Sequence, residues 1–392
     1  MIRMNRLSSL RNQLHTLVVF RALLDDTVIS HFLNMLEYAD SEKSFPDECA
    51  LFEASLFEHG DSWSRYLLNA VTALENTAVR LKAVGKSRKT VDASVHRELQ
   101  ILQDASAVSA DAFPYADSFT PWTTESIDFT AEYEAHLENV ARRGYGIYAS
   151  HHVFTVGEEG LVPVHYPDPQ RLSQLPGYEA ERKKVLANVQ ALLAGEPAVN
   201  MLLYGDAGTG KSSTIKAIVN EYREEGLRLV EVRKNQLFRI PPLLEQLAEL
   251  PLKFILFIDD LSFSSNDDNF ASLKAILEGS VSKQASNTII AATSNRRHLV
   301  KESVSERFAD DLHESDTRQE LLSLSARFGL IVTFQKPDRS RFLYIVHELA
   351  EQYGIEATED LDSKAEAFAL RAGGRTPRVA KQFIEQIRSG VL

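Results

Sequence analysis

Two short stretches of this 392-residue chain carry residue types that chemistry requires at fixed spacing. Residues 201–214, MLLYGDAGTGKSST, contain G-x-x-x-x-G-K-S as Gly205, Gly210, Lys211 and Ser212, with Asp206, Ala207, Gly208 and Thr209 between the glycines and Ser213 following. Glycines allow such a loop to curl until its backbone N–H groups point inward at phosphate oxygens. The run IKAIVNEYREE that follows is helix-competent and turns its positive N-terminal end toward the same anion. In this pattern Lys211 neutralises β- and γ-phosphates and the Ser212 hydroxyl ligates Mg²⁺.

The second stretch is FILFIDDLSF at 254–263, an apolar run ending in Asp259 and Asp260. An apolar run of that length reads as a central parallel strand buried on both faces. The C-terminal end of such a strand opens where α/β sheets place their ligands. Asp259 is then positioned to hold the metal, through water, and Asp260 to orient an attacking water. Aspartate is one methylene shorter than glutamate, so whether Asp260 supports turnover decides between an engine and a switch.

The surrounding elements fit that placement. From about residue 170, strand patterns near 199–204, 228–233, 253–258, 287–293 and 330–334 alternate with helical ones, the signature of a parallel sheet covered by helices. After 337 the pattern is helical, through DRSRFLYIVHELAEQYG, a segment from Asp362 and TPRVAKQFIEQIRSG. Residues 1–140 also carry helical periodicity, with Leu7, Leu10, Leu14, Leu17, Phe20 and Leu24 on one expected helix face and RYLLNAVTALENTAVRLKAV at 65–84 as another. DAFPYADSFTPW at 111–122 reads as an irregular connection, and 144–169 is β-like around an EEG turn. The expected organisation is a helical, partner-binding N-terminal domain over 1–140, a β-like linker over 141–170, an α/β core over 171–336 and a C-terminal helical lid over 337–392.

Composition sets outer bounds. With 44% hydrophobic and 25% charged residues the chain reads as an ordinary globular protein long enough for two or three cores. A formal charge of −12 does not support wholesale nucleic-acid binding. The single Cys49 excludes an internal disulfide and a thiolate cluster, which fits a reducing cytoplasm. The apolar run LVVF at 17–20 is too short to span a membrane.

With phosphate loop, acidic strand and helical lid in this order, residues 170–392 resemble the AAA+ ATPases. The resemblance implies a five-stranded parallel P-loop core with helices on both faces, and ATP and Mg²⁺ as cofactors. LPGYEAERKKVLANVQALLAGE at 175–196 looks like the segment ahead of the phosphate loop in that superfamily, which places Tyr178 near the adenine. ATSNRRHL at 292–299 looks like sensor 1, with Asn295 facing the γ-phosphate. LSLSARFGLIVTF at 322–334 looks like the segment bearing the arginine finger, which nominates Arg327, with Arg307 in SERF as the alternative. GGRTPRVAKQF at 373–383 looks like sensor 2, with Arg378 the aligned arginine and Arg375 the alternative. The combination of these motifs is similar to an uncharacterised bacterial AAA+ family catalogued as a domain of unknown function. DDLSF also resembles the strand end of the helicase-loader branch.

The resemblance therefore implies an ATPase that forms homo-oligomers, nucleotide-dependent ones among them, and acts on a macromolecular client. Two other readings belong to different classes: a nucleotide-gated binding module with little turnover, and a helicase-loader-like switch. Other conspicuous residues have plainer readings. His151-His152 has no ligand partners at metal spacing, Trp63 and Trp122 read as packing, and GKSRK at 85–89 reads as a solvated helix end. SFSSNDDN at 262–269 offers Asp267 or Asp268 as a helix cap.

Overall fold

The structure, a computed structural model, describes residues 2–114, 119–261, 268–278, 286–295, 327–356 and 358–391. The chain divides into two compact units, Met1–Ser150 and His151–Leu392. The first unit thus extends ten residues beyond the boundary that the periodicity of 1–140 suggests.

The first unit is helical: α1 (Ile2–Leu14), α2 (Thr27–Glu37), α3 (Phe45–Phe57), α4 (Trp63–Ala73), α5 (Thr77–Ala83), α6 (Lys89–Ser106), α7 (Phe129–Arg143) and the short α8 (Ile147–Ser150). The leucine face expected over 7–24 is divided, because α1 ends at Leu14 and residues 21–25 form a single 3-10 turn. Leu17 and Phe20 are nevertheless buried. Glu98 on α6 explains the turn: its buried carboxylate accepts the backbone N–H of Val19 (3.0 Å) and of Phe20 (3.1 Å). The helical texture at 65–84 likewise splits into α4 and α5, where the Asn76 side chain accepts the Val79 N–H. Side-chain caps of this kind, also made by Asp26, Ser62 and Asp128, each stabilise a helix start by about 1 kcal/mol. Trp63 and Trp122 are core residues, donating their indole N–H to Ala105 O and Val108 O.

The second unit is built on a seven-stranded sheet of order β2-β1-β4-β5-β6-β3-β7. Its strands are β1 (Val153–Val156), β2 (Leu161–Pro163), β3 (Met201–Gly205), β4 (Leu227–Glu231), β5 (Lys253–Ile258), β6 (Thr288–Ser294) and β7 (Leu330–Phe334). The five strands read from the sequence form the parallel core, each within two residues of its expected bounds. The segment expected as a linker over 141–170 instead splits between the units. Its residues 153–163 form a hairpin whose first strand adds to β4 in parallel and whose second runs antiparallel. The Gly157 N–H donates to Gly160 O across the EEG turn, so the β-like patterning there is a sheet extension.

α9 (Glu179–Ala194), α10 (Lys211–Tyr222), α11 (Ile240–Ala248) and α12 (Asp268–Glu278) accompany the sheet, and α13 (Arg339–Gln352), α14 (Leu361–Arg371) and α15 (Pro377–Arg388) make up the C-terminal helical part. β5 is buried from Phe254 to Ile258 and β6 along its whole length, as strands covered on both faces must be. One apolar core joins the sheet, α9 and α10 to α13–α15 through Tyr178, Phe334, Phe342, Ile345 and Phe383. Among the described residues no helix is long and apolar enough to cross a membrane.

Candidate functional site

Parallel register brings the chemistry-bearing loops to one edge. Tyr204 lies beside Ser294, Gly205 beside Phe334, and Ile258 beside Ala292, so the segments after β3, β5, β6 and β7 all leave from the C-terminal side of the sheet. That edge is where an open α/β sheet binds its ligands.

The loop after β3 is shaped by glycine. Gly205 has φ +139°, and a Cβ there would overlap the Phe334 carbonyl oxygen, so no other residue fits. Gly210 has φ +88° and is the N-cap of α10, which has no side-chain cap. The N-terminal end of α10 is thus available to an anion, as the spacing of the motif requires.

Lys211, the first residue of α10, is buried and uses its ammonium group completely. Nζ donates to Gly205 O (2.8 Å), Asp206 O (2.8 Å) and Asn295 Oδ1 (2.9 Å). Burial pushes its pKa below the ordinary lysine value, opposed by the charges of Asp206, Asp259 and Asp260 and reinforced by that of Arg378. Three carboxylates therefore surround one lysine, and Arg378 is the second cation that acts on it.

Asp259 is fixed by three donors on the same oxygen. Its Oδ1 accepts Ser212 Oγ–H (2.6 Å), Thr293 Oγ1–H (2.5 Å) and the N–H of Asp260 (3.1 Å). Thr293 also accepts the Asp260 N–H at 2.9 Å. Thr293 is not among the residues nominated from the sequence. Its signal there is a buried hydroxyl near the end of an otherwise apolar strand, TIIAATS, beside another strand that ends in aspartate.

Asp260 adopts φ +51°, one of two non-glycine residues among those described with a left-handed backbone. For aspartate this conformation costs about 1 kcal/mol, and here the Thr293 and Asn295 contacts offset it. The turn aims the Asp260 carboxylate at Asn295, whose Nδ2 donates to Oδ1 at 2.7 Å. With an ammonium on one side and a carboxylate on the other, only this orientation of the Asn295 amide satisfies both neighbours.

Of the two sensor 2 candidates, the structure brings Arg378 and not Arg375 to the phosphate loop. The Arg378 N–H donates to Gly208 O (3.2 Å), and a Cβ on Gly208 would meet Arg378 Cβ at 3.2 Å. Arg375 is held by Glu366 through two nitrogens (Nη2–Oε2 2.5 Å), a pairing that draws the Glu366 pKa down.

Arg327 stands elsewhere. It precedes β7, which begins at Leu330 beside Met201, whereas the phosphate loop begins beside Phe334. About 13 Å of strand separates the two edges. Arg307 lies outside the described residues, as do residues 262–267 of the SFSSNDDN loop.

Tyr178, expected near the adenine, has its ring packed at the junction before the C-terminal helices. It is buried, with φ +62°, its hydroxyl donating to Gln335 O (2.5 Å) and its ring against Phe334 (5.4 Å) and the Arg341 guanidinium (4.9 Å). Burial pushes the phenol pKa up to about 12. The ring is committed to the junction between β7 and α13. His152 is hydrogen-bonded to Asn220 Oδ1 (3.0 Å).

The donor set fits magnesium. Ser212 Oγ and Asp259 Oδ1 are hard oxygens of the kind Mg²⁺ takes, hydrogen-bonded to each other at 2.6 Å, so an ion bound directly by Ser212 would have Asp259 within reach through a water. Among the described residues no group of three or more His, Cys, Asp or Glu side chains could hold a metal ion.

Solved structures similar to this chain include a point variant of Thermotoga maritima RuvB, at 20% identity with a TM-score of 0.38, covering 56% of this chain and 65% of that one. The Thermotoga maritima RuvB Holliday junction branch migration motor matches at 21% identity and a TM-score of 0.35 over the same shares. An AMPPCP-bound DnaA from Aquifex aeolicus matches at 18% identity and a TM-score of 0.39, covering 57% of this chain and 67% of that one. This chain thus spans just under two thirds of the RuvB chains. The parallel five-stranded core, the glycine loop after β3 and the C-terminal helices are the elements that the strand and helix patterns of the sequence lead one to expect, in the expected order. Residues 149–391, well over half of the sequence, match one family along their whole length, and the chain belongs to that family, described as Protein of unknown function (DUF815).

Proposed function

We propose that the protein binds ATP with Mg²⁺ at the loop 205–213 and hydrolyses it, using the cycle to remodel or regulate a macromolecular partner. The observation that supports this most directly is the chain of contacts Lys211–Asn295–Asp260 beside Ser212–Asp259, all at one edge of the sheet.

Each residue has a distinct role in this reading. The loop amides of residues 206–213 and the end of α10 bind the phosphates, and Lys211 exchanges its carbonyl partners for β- and γ-phosphate oxygens. Ser212, directly, and Asp259, through water, would hold a magnesium ion, which would neutralise charge on the phosphates. Asp260 orients the attacking water and takes up its proton, while Asn295 keeps the carboxylate aimed. Arg378 approaches from α15 to stabilise charge on the transferring phosphoryl group.

Arg327 lies at the wrong edge to serve its own chain's nucleotide. Its position suits a finger acting on a neighbouring subunit, so hydrolysis depends on homo-oligomerisation. The helical unit Met1–Ser150 supplies recognition of the client, and the cytoplasm is the expected setting.

A second reading, a nucleotide-gated binding module with little turnover, draws on the Asp260 carboxylate being already engaged by Asn295. Measuring ATP turnover as protein concentration rises separates the two. The ATPase reading predicts specific activity that climbs with concentration and falls on Arg327→Ala. Nucleotide binding without turnover at any concentration would support the module instead. In either case Lys211→Ala weakens nucleotide binding by about a hundredfold, the loss of a charge-assisted contact, and unchanged affinity would remove the phosphate-loop reading.

A further inference from the structure

Asp206 is the one acidic residue within the phosphate loop, and its carboxylate has a specific partner outside it. Oδ2 accepts the backbone N–H of Lys336 at 2.9 Å. Lys336 lies in the junction 335–338 between β7 and α13, where Asp338 then caps α13 by accepting the Arg341 N–H (2.8 Å). We propose that Asp206 is a positioning residue that couples occupancy of the phosphate loop to the junction leading into the C-terminal helices, through its bond to the Lys336 amide. This inference rests on the nucleotide-binding reading of the loop and adds a path by which binding reaches α13–α15.

Three further contacts make the junction responsive to the loop. Gly205 pairs with Phe334 in the sheet, so close that an added Cβ would overlap the Phe334 carbonyl oxygen. The Lys336 side chain crosses Gly374, where a Cβ would overlap its Nζ, so the same residue touches the turn before α15. The Arg378 N–H bonds back to Gly208 O, closing the circuit from the loop through the junction and α15 to the loop again. Asp206 and Lys336 are both exposed, so the carboxylate is not needed to satisfy a buried amide and its value lies in the link. Asp206 also acts electrostatically on Lys211, whose charge the phosphates would engage. Filling the loop therefore changes the surroundings of the carboxylate that holds the junction.

The test is hydrogen–deuterium exchange of the full chain over 335–345 and 373–381, with and without ATPγS and Mg²⁺, in the wild type, Asp206→Ala and Asp206→Asn. In the wild type, nucleotide slows exchange in both segments. Asp206→Ala speeds exchange at the Lys336 amide by about tenfold without nucleotide and abolishes the nucleotide response in both segments when compared at matched occupancy, each protein being saturated with ATPγS according to its own titration. Asp206→Asn keeps an acceptor oxygen and restores the response. A full response in Asp206→Ala, or a response lost equally in Asp206→Asn, would overturn the coupling, the second by showing that charge rather than the amide bond matters. A wild-type chain that binds no ATPγS would instead remove the phosphate-loop reading, and this inference with it.

Discussion

Asn295 Nδ2 donates to Asp260 Oδ1 at 2.7 Å while Asn295 Oδ1 accepts from Lys211 Nζ at 2.9 Å, so one amide joins the lysine proposed to bind phosphate to the carboxylate proposed to handle water. The amide fixes both charged groups at once. Asn295→Ala is expected to lower turnover by about a hundredfold, as loss of a single preorganised polar contact does. Affinity for nucleotide falls much less, by about fivefold, because one neutral hydrogen bond to Lys211 is lost. Steady-state rates and equilibrium titration with a fluorescent ATP analogue measure the two effects separately.

Gly205 carries the tightest steric demand at the site. Gly205→Ala sets a methyl group against the Phe334 carbonyl at a φ that L-residues avoid. Destabilisation on the order of 3 kcal/mol is expected, together with loss of nucleotide binding. Denaturant unfolding followed by a probe in the second unit measures it. Gly195→Ala, at φ +77° with nothing within 4 Å of the added Cβ, carries backbone strain without a clash and is expected to cost less.

Lys211 gives the site a pH dependence of defined sign. Its folded pKa lies below the unfolded lysine value, so between the two the unfolded chain holds the extra proton and this residue's contribution to stability rises with pH. Nucleotide binding has the opposite sign, because phosphates favour the charged ammonium. Binding is therefore coupled to proton uptake, and affinity falls as pH rises through the lowered pKa. Titration calorimetry in alkaline buffers of different ionisation enthalpy should report that uptake, and Lys211→Ala should abolish it.

Much of this site is legible in the sequence because the motif residues sit at strand ends, where spacing alone fixes position. The glycine loop, Ser212, Asp259, Asp260 and Asn295 converge because β5, β6 and β3 are neighbours and parallel. That Arg378 and not Arg375 adjoins the glycine loop is a matter of packing, the first lying beside Gly208 and the second held by Glu366. Other features depend on contacts distant in sequence. The ring of Tyr178 is taken by Gln335, Phe334 and Arg341, and the hairpin at 153–163 joins the sheet because β4 offers it an edge. The Glu98 carboxylate ends the leucine face of α1 by capturing two amides far from it in the chain. None of these partners is visible in local periodicity.

The central claim is that Asp260 serves hydrolysis and not merely the architecture of the strand end. It is tested most directly by ATP turnover of Asp260→Asn at saturating ATP and Mg²⁺, measured alongside its nucleotide affinity. Asparagine keeps the size of the side chain and tolerates the left-handed backbone, so fold and binding should be preserved. The predicted result is wild-type affinity with turnover reduced by about 10²- to 10⁴-fold. Turnover at the wild-type rate would contradict the account.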